Sequence, residues 1–241
     1  MHLSLVIPAY NEAGRLPDTL MKVVAYLDAQ DYDAEVWVVD DGSHDTTREL
    51  VSGFSEPSKT SVHLESLGHN QGKGAAVRRG MMDCATGDYR VFYDADGSTP
   101  IEELEKLWPC FEAGADVVMG SRALAESNVE VHQAWIREHL GKINNLVLRI
   151  LGITHFSDTQ CGFKGFTAAA CGEIFPRQTI NRFSFDAEIL YIAERHGLKV
   201  VDVPVHWVNH PESRLNPVTD SVQMVLDLLT IRFKDLMGRY C

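Results

Sequence analysis

Residues 88–98 read Asp88-Tyr89-Arg90-Val91-Phe92-Tyr93-Asp94-Ala95-Asp96-Gly97-Ser98. An apolar and aromatic run that ends in two acids and a glycine has the signature of a buried strand opening into a turn. Side chains alternate along a strand, so Asp94 and Asp96 are expected on one side, where they can hold a divalent cation between them. Asp and Gly also make ordinary turns after strands, and a lone Asp-x-Asp fits that reading equally well. The surrounding sequence decides between the two.

Upstream and downstream, strand-like runs alternate with helix-like ones. HLSLVIPAY (2–10) precedes an amphipathic stretch over 16–27, EVWVVDDGS (35–43) a helix from about 45, and SVHLESL (61–67) a helix over 75–84. DYRVFYDADGS precedes a helix over 102–111, and ADVVMGSR (115–122) follows. This βα alternation predicts an α/β fold with a mostly parallel, doubly wound sheet and sites at the carboxyl ends of its strands. Beyond Arg122 the pattern changes. Helical segments over 131–151 lead to an irregular stretch, a helix over 185–196, the strand LKVVDVPVHWV (198–208) and a last long helix. We expect a single domain over 1–241, with 1–122 as the nucleotide-binding half and 123–241 as the half that shapes the acceptor site.

Composition narrows the function. The 241 residues are 45% hydrophobic and 23% charged, as suits a globular chain with a substantial core, and no linker-like or repetitive tract interrupts them. The formal net charge of −12 disfavours a nucleic-acid partner, which selects basic faces, so any anionic substrate must meet locally placed cations. Five cysteines, an odd number without metal-site spacing, suit a reducing, cytoplasmic setting, and Cys161 has no evident His to activate it as a nucleophile. The short run Leu3 to Ile7 ends at Pro8 without a basic flank, so it reads as a first strand rather than an export signal. No segment reaches the roughly 18 apolar residues of a membrane span.

Four strand ends carry polar motifs: Pro8-Ala9-Tyr10-Asn11-Glu12, Asp40-Asp41-Gly42-Ser43, Asp94-Ala95-Asp96-Gly97-Ser98 and Gly120-Ser121-Arg122. Together they offer a wall for a base, a carboxylate for hydroxyls and a metal site for phosphates. Between the third and fourth strands, Asn70-Gln71-Gly72-Lys73-Gly74 lets the backbone approach a ligand closely and supplies a lysine that can screen phosphate charge. It lacks the Gly-Lys-Ser/Thr ending of a nucleoside-triphosphatase loop, and no dinucleotide-binding GxGxxG follows the first strand.

VIPAYNE (6–12), VVDDGSHDTT (38–47), NQGKGAAVRRGM (70–81) and DADGS (94–98), in this order, resemble the inverting nucleotide-sugar glycosyltransferases of GT-A fold. DTQCGFK (158–164) and RFSFDAE (182–188) narrow the resemblance to the dolichyl-phosphate β-glucosyltransferases, with the dolichyl-phosphate mannose synthases as more distant relatives. The resemblance implies a hexosyltransferase that moves a hexose, with glucose from UDP-glucose expected, onto a polyprenyl or dolichyl phosphate to give a β-linked product. N-acetylgalactosamine from UDP-GalNAc, or transfer to a glycan or protein hydroxyl, stays open. It further implies that Pro8, Ala9, Tyr10 and Glu12 line the nucleotide pocket, that Asp40 contacts base or ribose, and that Asp94 faces the ribose and phosphates, where Lys73 of the glycine-rich loop is also expected to bind the donor. Asp96 becomes the principal ligand of Mg²⁺ or Mn²⁺, helped by Asp94. Ser98 stands where the mannose synthases carry a Gln ligand, which leaves the third ligand open to Ser98 or water. Arg122, Arg137, Lys164 and Arg214 are expected around the acceptor phosphate, and Asp96, Arg122 and Asp186 at the chemistry.

The acceptor class sets what Asp186 must do. A hydroxyl is a poor nucleophile at neutral pH and needs a positioned base. A phosphate monoester, with a second pKa of about 6, arrives mostly as a dianion. Its obstacle is repulsion, since two like charges about 4 Å apart at an effective dielectric of about 20 cost roughly 4 kcal/mol. Asp186 is therefore assigned a positioning role, with the base role as its rival. A lipid acceptor also calls for access to a bilayer, at the inner face for a cytoplasmic peripheral protein, through the membrane surface or a small membrane-anchoring protein. Two helical faces are candidates. One carries Val222, Val225, Leu226, Leu229, Phe233, Leu236 and Met237 near Arg232, Lys234 and Arg239, and would either pack on the sheet or dock at lipid. The other carries Leu140, Ile143, Leu146, Val147, Ile150 and Leu151.

Overall fold

The computed structural model describes residues 1–54, 58–129, 148, 151–208 and 217–241, with side chains of the last stretch from 223 onward. Arg137, Arg214 and nearly all of the helical stretch expected over 131–151 lie outside the described residues. In chain order the elements are β1 (His2–Ala9), α1 (Leu16–Asp28), β2 (Asp33–Asp40), α2 (Thr47–Ser52), β3 (Ser61–Ser66), α3 (Lys73–Arg79), β4 (Tyr89–Tyr93), α4 (Trp108–Glu112) and β5 (Val117–Ser121). There follow β6 (Asn128–Val129), β7 (Phe163–Thr167), α5 (Ala168–Ile174), α6 (Phe185–Arg195), β8 (Val200–Pro204), β9 (His206–Trp207) and α7 (Pro217–Leu236).

The main sheet runs β3-β2-β1-β4-β7-β5-β8, and β6 pairs with β9 in a small second sheet. β1 lies between β2 and β4, parallel to both, so the chain reverses its direction of winding there and leaves a crevice at the carboxyl ends of those strands. Burial on both faces explains the apolar run of β1: Leu3, Leu5 and Ile7 enter one core layer while Val6 enters the other. Gly80 makes the close packing of α3 possible, because a Cβ there would lie 2.3 Å from Val6 Cγ1. At that point the α3 backbone widens into a π turn over Gly80–Cys84, closed by Ala85 N–H donating to Gly80 O.

Three elements depart from the sequence reading, the first being the strand expected over 198–208, which divides into β8 and β9 in different sheets. The helix expected over 102–111 is a 3₁₀ segment, Ile101–Lys106, followed by the short α4, where Pro109, at the first turn of α4, has no N–H to donate back to Glu105 and so interrupts the ladder of a continuous helix. The irregular stretch after 151 contains β7, which pairs antiparallel with both β4 and β5. This strand carries the second half of the chain into the middle of the sheet. Its entry point lies against the exit of β4, where Asp94 N–H donates to Gly162 O at 3.0 Å.

Candidate active site

The first two strand ends are clamped together by Asn11. It adopts a left-handed φ of 53°, its N–H donates to Ser43 Oγ at 2.8 Å, and its Oδ1 accepts from His44 N–H at 2.7 Å. Tyr10, on the same loop, meets the His44 ring edge-on at 6.4 Å, and Pro8 and Ala9 close the end of β1. Glu12 holds Arg15 through both carboxylate oxygens, and Arg15 Nη1 lies 4.0 Å from Asp96 Oδ2. Asp40 is fully enclosed; its carboxylate accepts from Ser43 N–H and Ser66 Oγ, with Arg48 Nε 3.9 Å away. In this arrangement Asp40 shapes the wall rather than presenting an open carboxylate to a ligand.

Its neighbour Asp41 has a task that the sequence reading missed. Asp41 Oδ1 accepts from Gln71 N–H at 2.7 Å and Oδ2 from Gly72 N–H at 2.9 Å, which pins the glycine-rich loop to the end of β2. Gly42, at a φ of 73°, is required because a Cβ would strike the backbone of His69 at 2.5 Å. Gly72, at a φ of 106°, passes just as closely over Asn181 O. So held, the loop delivers Lys73 to Asp94, with Nζ 2.6 Å from Oδ1.

Asp94 and Asp96 do come together, though not by strand alternation. β4 ends at Tyr93, and the two acids lie on a turn closed by Gly97 N–H donating to Asp94 O at 3.1 Å, with Gly97 at a φ of 62°. Asp96 Oδ1 accepts from Ser98 N–H at 2.9 Å. Burial pushes the Asp94 carboxyl above its ordinary value; Lys73 opposes this, while Asp96 and Asp186 add to it. Lys73 in turn is held in its charged form, against burial, by Asp94, Asp186 and Asp96. Asp94 and Asp96 thus lie together on one turn, where a hard divalent cation with oxygen ligands would fit. Among the described residues the Ser98 hydroxyl, beside this turn, is buried with no hydrogen-bond partner, a further oxygen to satisfy. Among the described residues no three His, Cys, Asp or Glu side chains converge as a preformed cage, so phosphate oxygens and water would complete the coordination.

The motif of residues 158–164 enters from the other side. Arg122 donates Nε and Nη2 to the two carboxylate oxygens of Asp158 at 2.7 and 2.8 Å, and its own N–H donates to Oδ2 at 2.9 Å. The guanidinium also lies 5.3 Å from the centre of the Trp207 ring. Arg122 is consequently a positioned cation whose charge is partly answered, with Asp158 the partner that sequence reading did not identify. Lys164 departs from its expected place. Its ammonium is fully enclosed, 2.5 Å from Asp186 Oδ1 and 2.7 Å from Cys161 O, and 4.9 Å from the centre of the Phe92 ring. The methylene stem of a lysine on a central strand points inward here, so the charge is bound to Asp186 instead of facing an acceptor. Cys161 is equally enclosed, and burial pushes its thiol up to about 11, which removes it as a nucleophile.

A profile described as Glycosyl transferase family 2 matches residues 4–175. The chain is 34% identical to the dolichyl-phosphate beta-glucosyltransferase of Dictyostelium discoideum, over 99% of this chain and 76% of that protein. It is 33% identical to the human dolichyl-phosphate beta-glucosyltransferase, over 99% of this chain and 77% of that protein. Among solved structures, glucosyl-3-phosphoglycerate synthase from Mycobacterium tuberculosis in complex with Mn²⁺, UDP and phosphoglyceric acid superposes with a TM-score of 0.67 at 18% identity, over 99% of this chain and 78% of that one.

Proposed function

This chain belongs to glycosyl transferase family 2 and has its GT-A-like fold, and on that premise we propose that it transfers a hexose from a nucleotide sugar to a polyprenyl phosphate with inversion at the anomeric carbon. The dolichyl-phosphate beta-glucosyltransferases to which it is similar support glucose as the sugar, and UDP as its carrier is the donor we infer. One observation carries the choice of acceptor: Asp186, at the start of α6, is locked to the buried ammonium of Lys164. With its Oδ1 engaged by that ammonium and the side chain buried, Asp186 is not presented to an acceptor hydroxyl as a general base must be. An acceptor that arrives ionised needs none.

The residues then divide the work. Pro8, Ala9, Tyr10 and Glu12, with the enclosed Asp40 behind them, form the nucleotide wall, and Lys73 stands by the diphosphate. Asp94 and Asp96, with Ser98 beside them, would hold Mg²⁺ or Mn²⁺. When bound, that ion neutralises charge on the departing diphosphate. Arg122 faces the acceptor phosphate, its orientation fixed by Asp158 and Trp207. Arg137 and Arg214, outside the described residues, are proposed to add charge there. Residues 1–122 serve the donor and 123–241 the acceptor within one domain, in keeping with the insertion of β7 between β4 and β5.

Access to a lipid acceptor is proposed through α7, at the inner face of a membrane, by direct docking or beside a small anchoring protein. Among the described residues no helix is long and apolar enough to cross a bilayer. Of the face expected on this helix, Leu226, Leu229, Phe233, Leu236 and Met237 are 49–80% exposed, while Leu228 and Ile231 make the contact with the core. Incubation with polyprenyl phosphate and a panel of nucleotide sugars, followed by mass spectrometry of the organic phase, tests the proposal. A hexosyl monophosphate lipid made from UDP-glucose is expected, a product made from UDP-GalNAc would correct the sugar, and a water-soluble product alone would sink the acceptor assignment.

A further inference from the structure

Residues 178–181 run beneath the glycine-rich loop and hold it from below. Ala75 N–H donates to Asn181 O at 3.1 Å, Gln178 Nε2 to Gly74 O at 2.9 Å, and Arg78 Nη1 to Gln178 O at 3.0 Å. The approach is close enough that a Cβ on Gly72 would lie 2.4 Å from Asn181 O, and one on Gly74 2.7 Å from Ile180 O. Any shift of this strut must therefore move the backbone on either side of Lys73.

The strut is itself fixed by Glu188, one turn into α6 and completely enclosed. Glu188 accepts from Thr179 N–H at 2.9 Å, Ile180 N–H at 2.7 Å, Thr179 Oγ1 at 2.5 Å and Tyr240 Oη at 2.6 Å. Lys234, in the last turn of α7, donates to the same Thr179 hydroxyl. Tyr240 is fully buried to make its bond. An enclosed carboxylate gains little net stability over an apolar side chain of the same volume, so its four directed hydrogen bonds point to geometry as its use.

We propose that Glu188, Thr179 and Tyr240 are positioning residues that set the height of the 178–181 strut, and through it the aim of Lys73 at Asp94. The proposal rests on the role given to Lys73 at the donor diphosphate. It makes Tyr240 part of the support of the donor site, since its side chain reaches the loop through two intermediaries. A misplacement on the order of 1 Å at a binding group can cost as much as about a hundredfold in rate, so modest movements of this strut are sufficient to matter.

Thr179→Val, Thr179→Ser and Tyr240→Phe, compared with the native protein and with Lys73→Met, test this. Donor KM, acceptor KM, kcat and hydrogen exchange of the Ala75 amide are read for each. Thr179→Val and Tyr240→Phe are expected to raise donor KM about tenfold, leave acceptor KM in place and speed exchange at Ala75, whereas Thr179→Ser restores native values. Unchanged Ala75 exchange in both damaging variants overturns the proposal. So does an unchanged donor KM when Lys73→Met raises it. If Lys73→Met leaves donor KM alone while Ala75 exchange quickens in the other two, the strut stands as a positioning device and the donor role of Lys73 is what fails. Should Thr179→Val fail to fold, Tyr240→Phe, which removes one oxygen, carries the same comparison.

Discussion

Lys73 Nζ lies 2.6 Å from Asp94 Oδ1, which ties the loop after β3 to the turn after β4 across the carboxyl edge of the sheet. The ammonium is in direct contact with the first of the paired acids, with Arg15 4.0 Å from the second, and Lys73 and Asp94 both retain some exposure to the crevice. A phosphate entering there meets a cation already oriented by Asp41 and Gly72 behind it. Lys73→Met keeps the stem and removes the charge. Donor affinity is expected to fall by about tenfold to a hundredfold, measured by titration with UDP in the presence of Mn²⁺. Equal affinity would remove Lys73 from the donor site.

Asp186→Asn separates the two mechanisms. As a positioning residue paired with Lys164, Asp186 should be replaceable with a loss of roughly tenfold in kcat at every pH. Near-complete loss that recovers at alkaline pH would instead identify a base. The same variant leaves the Lys164 ammonium enclosed without its counter-charge, so denaturant unfolding should show a destabilisation on the order of 3 kcal/mol.

Gly162 controls Asp94 by having no side chain. A Cβ there would lie 1.8 Å from Asp94 Oδ2, closer than any real contact, and the carboxylate would have to swing away from Lys73. Gly162→Ala is expected to lower kcat/KM by about a hundredfold. Because the clash is with the movable end of a side chain, the thermal midpoint should stay within a few degrees of native. A large drop in midpoint, or unchanged kinetics, would contradict this account.

Asp158 gives the protein a defined sensitivity to acid. Burial opposes its ionisation, but the Arg122 guanidinium and its hydrogen bonds prevail and bring the pKa down to about 2. A carboxyl depressed in the folded state contributes stability above its unfolded value of about 3.9 and loses it as pH falls toward the folded value. The contribution, on the order of 2 kcal/mol, should therefore be intact at pH 6 and vanish between about pH 4 and 2. Denaturant unfolding across that window should show this slope in the native protein and its absence in Asp158→Asn.

Phe233 and Met237 test the outer face of α7. At 64% and 72% exposure they rest on no core, and burying each in a bilayer interface would contribute on the order of 1–2 kcal/mol. Phe233→Ser with Met237→Ser should weaken flotation with anionic liposomes without lowering the thermal midpoint. Flotation unaffected by the pair would direct the search to residues 131–151 or to an anchoring protein.

Much of this was written locally. The apolar runs of β1, β2, β4 and β5 are recognisable because burial on both faces demands such residues, and the acids and glycines after them are the turn chemistry of strand ends. The order of those runs with intervening helical periodicity determined the α/β class, and the motif strings determined the family. β7 was not legible, since Phe163–Thr167 holds a glycine and a lysine and is short, and only its pairing with β4 and β5 makes it a strand.

The charges show the same boundary. The sequence by itself singled out Lys73, Asp94, Asp96, Arg122, Lys164 and Asp186 as candidates for the site. Only the tertiary structure decided that Lys73 pairs with Asp94, that Arg122 is held by Asp158, and that Lys164 turns inward to Asp186 rather than toward an acceptor. Local patterns record whether a residue is buried and which way a backbone bends, because those depend on neighbours a few positions away. Which ammonium meets which carboxylate depends on segments 21, 22 or 36 positions apart meeting in a low-dielectric interior, and on a strand crossing that no local period encodes.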